Sequence, residues 1–159
     1  MVRIKALLPA FLLLLASRPA EAGLCGTVLD PMSVSATALA FGNYLAASAS
    51  ASTNTVAVSC GLLGLDLLPN FTVALSAGNS ANMIARKMLF GAHGLNYNIY
   101  TTLGGATVWG DGSGGSVTQS FSSLLQLGSA SFTGYGRLPA GQFVTAGGYS
   151  DILIVTVTF

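Results

Sequence analysis

The stretch "GGYSDILIVTVTF", Gly147–Phe159, decides how this chain is read. In an extended chain successive side chains point to opposite faces. Leu153, Val155, Val157 and Phe159 therefore share one face, while Thr156 and Thr158 lie on the other. The alternation predicts a strand that holds one face against a core and keeps that pattern to Phe159. A strand with this much apolar surface needs a neighbour on each edge, because a bare edge is a template for pairing with another chain. Whether this chain supplies both neighbours bears directly on what it does.

Similar runs lie upstream. Residues 34–41 read as a strand, and 43–53 as a polar loop. "NTVAVSC" (Asn54–Cys60) alternates. "NFTVALSAG" (Asn70–Gly78) places Phe71, Val73 and Leu75 on one face. "MIARKMLFG" and "LNYNIYTTL" predict the next two strands, the second with Leu95, Tyr97, Ile99 and Thr101 together. "VTQSF" and "SASFTGYGRLP" predict two more. "WGDGSGGS" is a loop whose glycines permit tight turns. The segment "GLLGLDLLP" is apolar but broken by Gly61, Gly64 and Pro69, and reads as a connection packed under a sheet edge. No stretch sustains helical spacing. Short runs separated by turns indicate a β-sandwich or barrel.

The first residues stand apart. Arg3 and Lys5 precede the apolar run Ala6–Ala16, and "SRPAEA" ends at Ala22 with an A-x-A exit. This is the pattern of a secretory signal peptide over residues 1–22. The run is too short for a spanning helix, which needs about 20 apolar residues. The expected mature domain is 23–159, an exported chain with three basic and four acidic residues, for a net charge of −1. Three basic residues cannot track a phosphate backbone, so nucleic acid is not an expected partner. A chain this apolar and this weakly charged is expected to cover its surface in an assembly.

Cys25 and Cys60 are the two cysteines of the sequence. In an exported chain a single pair reads as a disulfide, which would stabilise the fold by about 3–4 kcal/mol through loop closure. The spacing does not suit a metal site, which favours closely spaced cysteines or clustered histidines.

The chemistry-bearing residues do not assemble an enzyme on paper. His93, the one histidine, sits in "GAHGL" between glycines, where a turn is expected. There is no G-x-S-x-G elbow to pair with it. Asp111 and Asp151 read as residues that hydrogen-bond their own turns. "WGDGSGG" lacks the lysine and the following helix of a phosphate loop. Arg86 and Lys87 are adjacent in a strand and so point to opposite faces, with at least one in solvent. Trp109 reads as core. The expectation is no catalytic residue, no cofactor and no metal.

Eight fragments carry a resemblance when taken in order: "LAFGNY", "VAVSC", "FTVALSAG", "ARKM", "LNYNIYT", "VWGDG", "GYGRLPAGQ" and "GYSDILIVTVTF". Together they resemble the spore coat protein U domain family, which includes subunits of archaic chaperone–usher pili. The resemblance covers nearly all of the chain beyond residue 22. It implies an all-β, immunoglobulin-like β-sandwich that lacks its last strand. It also implies a non-catalytic structural or adhesive pilus subunit, completed by a strand borrowed from a periplasmic chaperone and then from a neighbouring pilus subunit at the outer-membrane usher, a form of β-augmentation. The chain would pass through the periplasm to the cell surface. The face Leu153, Val155, Val157 and Phe159 would line the strand-accepting groove and contact the chaperone.

One departure qualifies the resemblance. Polymerising subunits of this family carry an alternating donor segment ahead of the first cysteine. Cleavage after Ala22 would leave Gly23 and Leu24 there, too little to span a groove at about 3.3 Å per residue. The expectation is an acceptor-only subunit at a tip or terminus, with the leucines of 62–68 as a contact loop. The alternative is a self-contained secreted spore-coat or matrix protein with a complete sandwich.

Overall fold

The computed structural model describes residues 32–60, 70–122 and 129–158. Eight strands occur among them: β1 (Met32–Ala36), β2 (Ser50–Cys60), β3 (Phe71–Leu75), β4 (Arg86–Phe90), β5 (His93–Tyr100), β6 (Gln119–Phe121), β7 (Ser129–Leu138) and β8 (Val155–Thr158). The one helical element among the described residues is a single 3₁₀ turn, Gly78–Ser80. The strands form two antiparallel sheets, ordered β1-β2-β7-β5-β4 and β6-β3-β8. This is the expected immunoglobulin-like sandwich, and among the described residues no strand stands on the outer edge of β8.

The alternation read from the sequence sets the faces. Val56, Val58 and Cys60 of β2, Leu95, Tyr97 and Ile99 of β5, and Phe132 of β7 are buried from one sheet. Phe71, Val73 and Leu75 of β3 are buried from the other. Phe71 and Phe132 meet edge-on across the sandwich, with ring centroids 5.9 Å apart. Trp109, fully buried, donates its indole N–H to the Val73 carbonyl at 2.9 Å and so satisfies its one polar atom in the core.

Several boundaries differ from the sequence reading. The expected loop over 43–53 ends earlier, because Ser50, Ala51, Ser52 and Thr53 pair with Leu138, Arg137, Gly136 and Tyr135 of β7. Small polar residues show no alternation of hydropathy. They become strand here because a long partner lies alongside. His93 is not in the turn but opens β5, opposite Phe90. The turn is Gly91-Ala92, with positive φ at Gly91, as a two-residue hairpin of this kind requires. The segments 61–69 and 123–128 lie outside the described residues, as do Cys25, Phe159 and residues 1–22.

Arg86 and Lys87 do point to opposite faces: Arg86 is 0% exposed and Lys87 is in solvent. Among the described residues no carboxylate pairs with the Arg86 guanidinium. Nε and Nη2 donate to the Ser76 carbonyl at 3.0 and 2.9 Å, Nη2 to the Trp109 carbonyl at 2.9 Å, and Nη1 to Asn98 Oδ1 at 2.7 Å. A planar fork is suited to joining three separate segments in this way. Burial pushes the guanidinium pKa down, while Tyr97, Asp151 and Asp111 act in the opposite sense.

Edges that the ladders leave open are closed by side chains and loops in two places. β7 pairs with only Asn98–Tyr100 of β5. The Gln142 amide takes over at Asn96, accepting its N–H at 2.7 Å and donating to its carbonyl at 2.9 Å. On β4, Leu89 exchanges both backbone bonds with Ser150.

Candidate functional site: an uncovered core between the first and last strands

β8 pairs with β3 alone among the described residues, from Leu75↔Val155 to Thr72↔Thr158. The Ser76 N–H donates to the Ile154 carbonyl at 3.0 Å. Antiparallel ladders alternate bonded and non-bonded pairs. Ile154, Thr156 and Thr158 therefore turn their backbone groups toward β3, and Leu153, Val155 and Val157 turn theirs to the free side. The side chains of these same three residues point to the core, yet they are only half-buried.

β1 is the counterpart in the other sheet. Among the described residues it pairs with β2 alone, Met32↔Cys60 to Ala36↔Val56. Val34 lies directly opposite Val58 and shares its core-side face. Val58 is fully buried, but Val34 is 44% exposed. Among the described residues, the core is left uncovered along the side where β1 and β8 stand. The end of β1 and the residues that follow it (Ala36, Thr37, Ala38 and Leu39), with Asp151, Leu153 and Val155 at the start of β8, line one open cavity of about 330 Å³, floored by Leu75, Ile99 and Asn54. An apolar trough with an unpaired backbone rail on one wall can take up one extended chain.

The approach to β8 is fixed by Asp151. Its Oδ2 accepts the Tyr97 hydroxyl at 2.7 Å, and its Oδ1 accepts the N–H groups of Asn79 and Ile152, each at 2.8 Å. Burial first, and this bond second, push the Tyr97 hydroxyl pKa well above the usual tyrosine range. Gly78 has φ +63°, and a Cβ there would collide with the Asp151 carboxylate. Only glycine meets both demands. Asp111 serves its own turn, accepting the Ser113 N–H at 2.8 Å and hydroxyl at 2.6 Å. These bonds hold its carboxyl below the ordinary value.

Of the residues singled out from sequence, Leu153, Val155 and Val157 are brought together on the open wall, although Leu153 precedes the strand rather than belonging to it. Phe159 lies outside the described residues. Cys60 is buried at the end of β2, beneath the β1 pairing. Its expected partner, Cys25, lies outside the described residues, and none of the described cysteines is free. His93 is exposed, in a hairpin at the far end of β5. Asn54 was not found from the sequence. It is polar at a core-facing position of an alternating run, and that mismatch was the available signal.

Two comparisons bear on this architecture. The family model described as Spore Coat Protein U domain matches residues 16–156. The fold is similar to a chain in the crystal structure of the CsuC–CsuE chaperone–tip adhesion subunit pre-assembly complex, from archaic chaperone–usher Csu pili of Acinetobacter baumannii. The TM-score is 0.60 at 21% identity, covering 84% of this chain. The match spans 40% of the length of that chain. No curated protein matches.

Proposed function

The chain belongs to the Spore Coat Protein U domain family, and from that premise we propose that it is a non-catalytic structural or adhesive subunit of a cell-surface pilus. It is assembled by the chaperone–usher route through donor-strand complementation. The observation that carries this reading is the half-buried row Leu153, Val155 and Val157, whose backbone groups face away from β3 with no strand beside them among the described residues. An extended segment laid there gains a ladder of hydrogen bonds and covers the trough in one step. The likeness to a chain of a chaperone–subunit complex supports a periplasmic chaperone as the first lender of that strand. The outer-membrane usher and neighbouring subunits follow in the same scheme.

On this reading residues 1–22 direct export and are removed. Cys25 and Cys60 then form a disulfide that fastens the start of the mature chain to β2. Mass analysis of the exported protein checks both: a chain beginning at Gly23 and carrying no free thiol is expected.

The deciding experiment is expression in a bacterial periplasm with and without a cognate chaperone. A chain that needs a borrowed strand is degraded or aggregates alone, and it is recovered as a one-to-one complex when the chaperone is present. Recovery of a stable, soluble monomer without any partner would favour the alternative, a self-contained secreted coat or matrix protein. The acceptor-only role is tested separately. Mixed with a donor-competent subunit, this chain should cap growing fibres rather than extend them. The leucines of 62–68, expected as a contact loop, lie outside the described residues.

A further inference from the structure

The outer face of the five-stranded sheet carries a cavity with which the trough has nothing to do. In β7, Gly134, Gly136 and Leu138 turn to the core, so Tyr135 and Arg137 point outward. Tyr100 of β5 lies directly opposite Tyr135 and shares that face. Across the other ladder the neighbours are small: Thr53 stands beside Tyr135 and Ala51 beside Arg137. The result is a depression of about 720 Å³, bounded by Tyr100, Leu103, Tyr135 and Arg137. That volume suits a small ligand.

Arg137 is held in place there. Its Cζ lies 5.8 Å from the centre of the Tyr100 ring, within cation–π range. Its Nη2 donates to the Leu103 carbonyl. The turn around Leu103 is closed by the Gly105 N–H on the Thr102 carbonyl at 3.0 Å. Gly105 has φ +71°, and a Cβ there would strike the guanidinium. The turn can therefore lie against Arg137 only with glycine at that position. Among the described residues no carboxylate pairs with Arg137, and no acidic residue lines the cavity. Asp111 and Asp151 are engaged elsewhere, with Ser113 and Tyr97. The cavity thus holds one oriented positive charge with no counter-charge.

We propose that this cavity binds an acidic carbohydrate, a chain of uronic acid residues. A carboxylate meets the remaining donors of Arg137, whose planar fork fits it. The apolar face of a sugar ring lies against the tyrosine rings, whose hydroxyls, with that of Thr53, face its polar rim. An anion without a ring would use Arg137 alone, and a neutral sugar would leave the charge unmet. The proposal goes beyond the strand-accepting reading and does not depend on it. The cavity lies on the face of the sheet away from the core, so a filled trough leaves it open.

The exported protein, purified with its chaperone if it requires one, is titrated by calorimetry with trigalacturonate, with neutral galactotriose and with citrate. Trigalacturonate should bind about tenfold tighter than either control, the affinity equivalent of one hydrogen-bonded charged group, and should weaken as salt is added. Arg137→Gln should lose about that factor, and Arg137→Lys should fall between the two, because it keeps the charge without the fork. Tyr135→Ser should weaken trigalacturonate and leave citrate unchanged. If Tyr135→Ser does not accumulate, Arg137→Gln still decides the matter, since that side chain is exposed. Equal binding of trigalacturonate and either control overturns the ligand class. Binding undiminished in Arg137→Gln overturns the site, and no binding overturns both. None of these results touches the strand-accepting reading, which the periplasmic expression experiment decides.

Discussion

Tyr97 donates its hydroxyl to Asp151 at 2.7 Å, tying the middle of β5 to the segment that leads into β8. This bond crosses from one sheet toward the other at the mouth of the open trough, where no strand ladder does the same work. Asp151 also holds the backbone of Asn79 and Ile152. The free wall of the trough is therefore anchored at its upstream end before any partner arrives, and a partner meets a wall already in place.

Tyr97→Phe keeps the ring in the core and removes that tie. The complemented subunit should lose about 1.5–3 kcal/mol in urea unfolding, the usual range for a lost hydrogen bond to a charged group. The loss should appear as faster release of a bound strand.

The same tyrosine gives the protein an alkaline limit. Its hydroxyl ionises well above the ordinary range in the folded chain, whereas the unfolded chain releases that proton near pH 10. The folded state thus binds the proton more tightly. Its contribution to stability is whole below about pH 10 and declines as the pH rises beyond that. Unfolding midpoints measured from pH 8 to pH 11 should fall at the alkaline end, and the fall should be shallower in Tyr97→Phe.

Arg86 joins Ser76, Asn98 and Trp109 from a fully buried position. Arg86→Lys keeps the charge but loses the planar fork, leaving buried carbonyls unmet. A loss of about 2–4 kcal/mol is expected in chemical denaturation. Lys87→Ala, on the solvent face of the same strand, should change stability by less than about 0.5 kcal/mol.

Val157→Lys sets a charge on the trough wall, opposite the buried Val73 of β3. Strand binding should weaken on the order of 100-fold, since the charge must be desolvated when the trough is covered. Thr156→Lys places the same charge on the exposed face and should leave binding nearly unchanged. Equal effects from both substitutions would argue against a trough that is covered on assembly.

Cys60→Ser tests the proposed pairing with Cys25. If the bridge fastens the start of the mature chain, the substitution costs about 3–4 kcal/mol. The natural chain should show the same loss on reduction with dithiothreitol, whereas Cys60→Ser should be indifferent to the reductant.

Alternation by itself was enough to place Phe71, Val73 and Leu75, or Leu95, Tyr97 and Ile99, on a buried face, and to turn Arg86 and Lys87 apart. It also marked Leu153, Val155 and Val157 as one row. These are local properties: the pleat fixes which way each side chain points, whatever lies beside it. Which of those rows is fully covered is not local. Val34 and Val58 carry the same side chain on the same face, and strand order alone leaves one open and the other sealed. Ser50–Thr53 became strand because β7 is long enough to pair with them. Asn54 and Arg86 were visible only as polar residues in apolar company. Whether a buried polar group finds partners depends on segments outside its own strand, and these supplied a set of bonds to Arg86 and, among the described residues, none to Asn54 Oδ1. Sequence determined the faces, and tertiary structure determined the edges, because a face is set by one strand's own geometry and an edge by the neighbour it has or lacks.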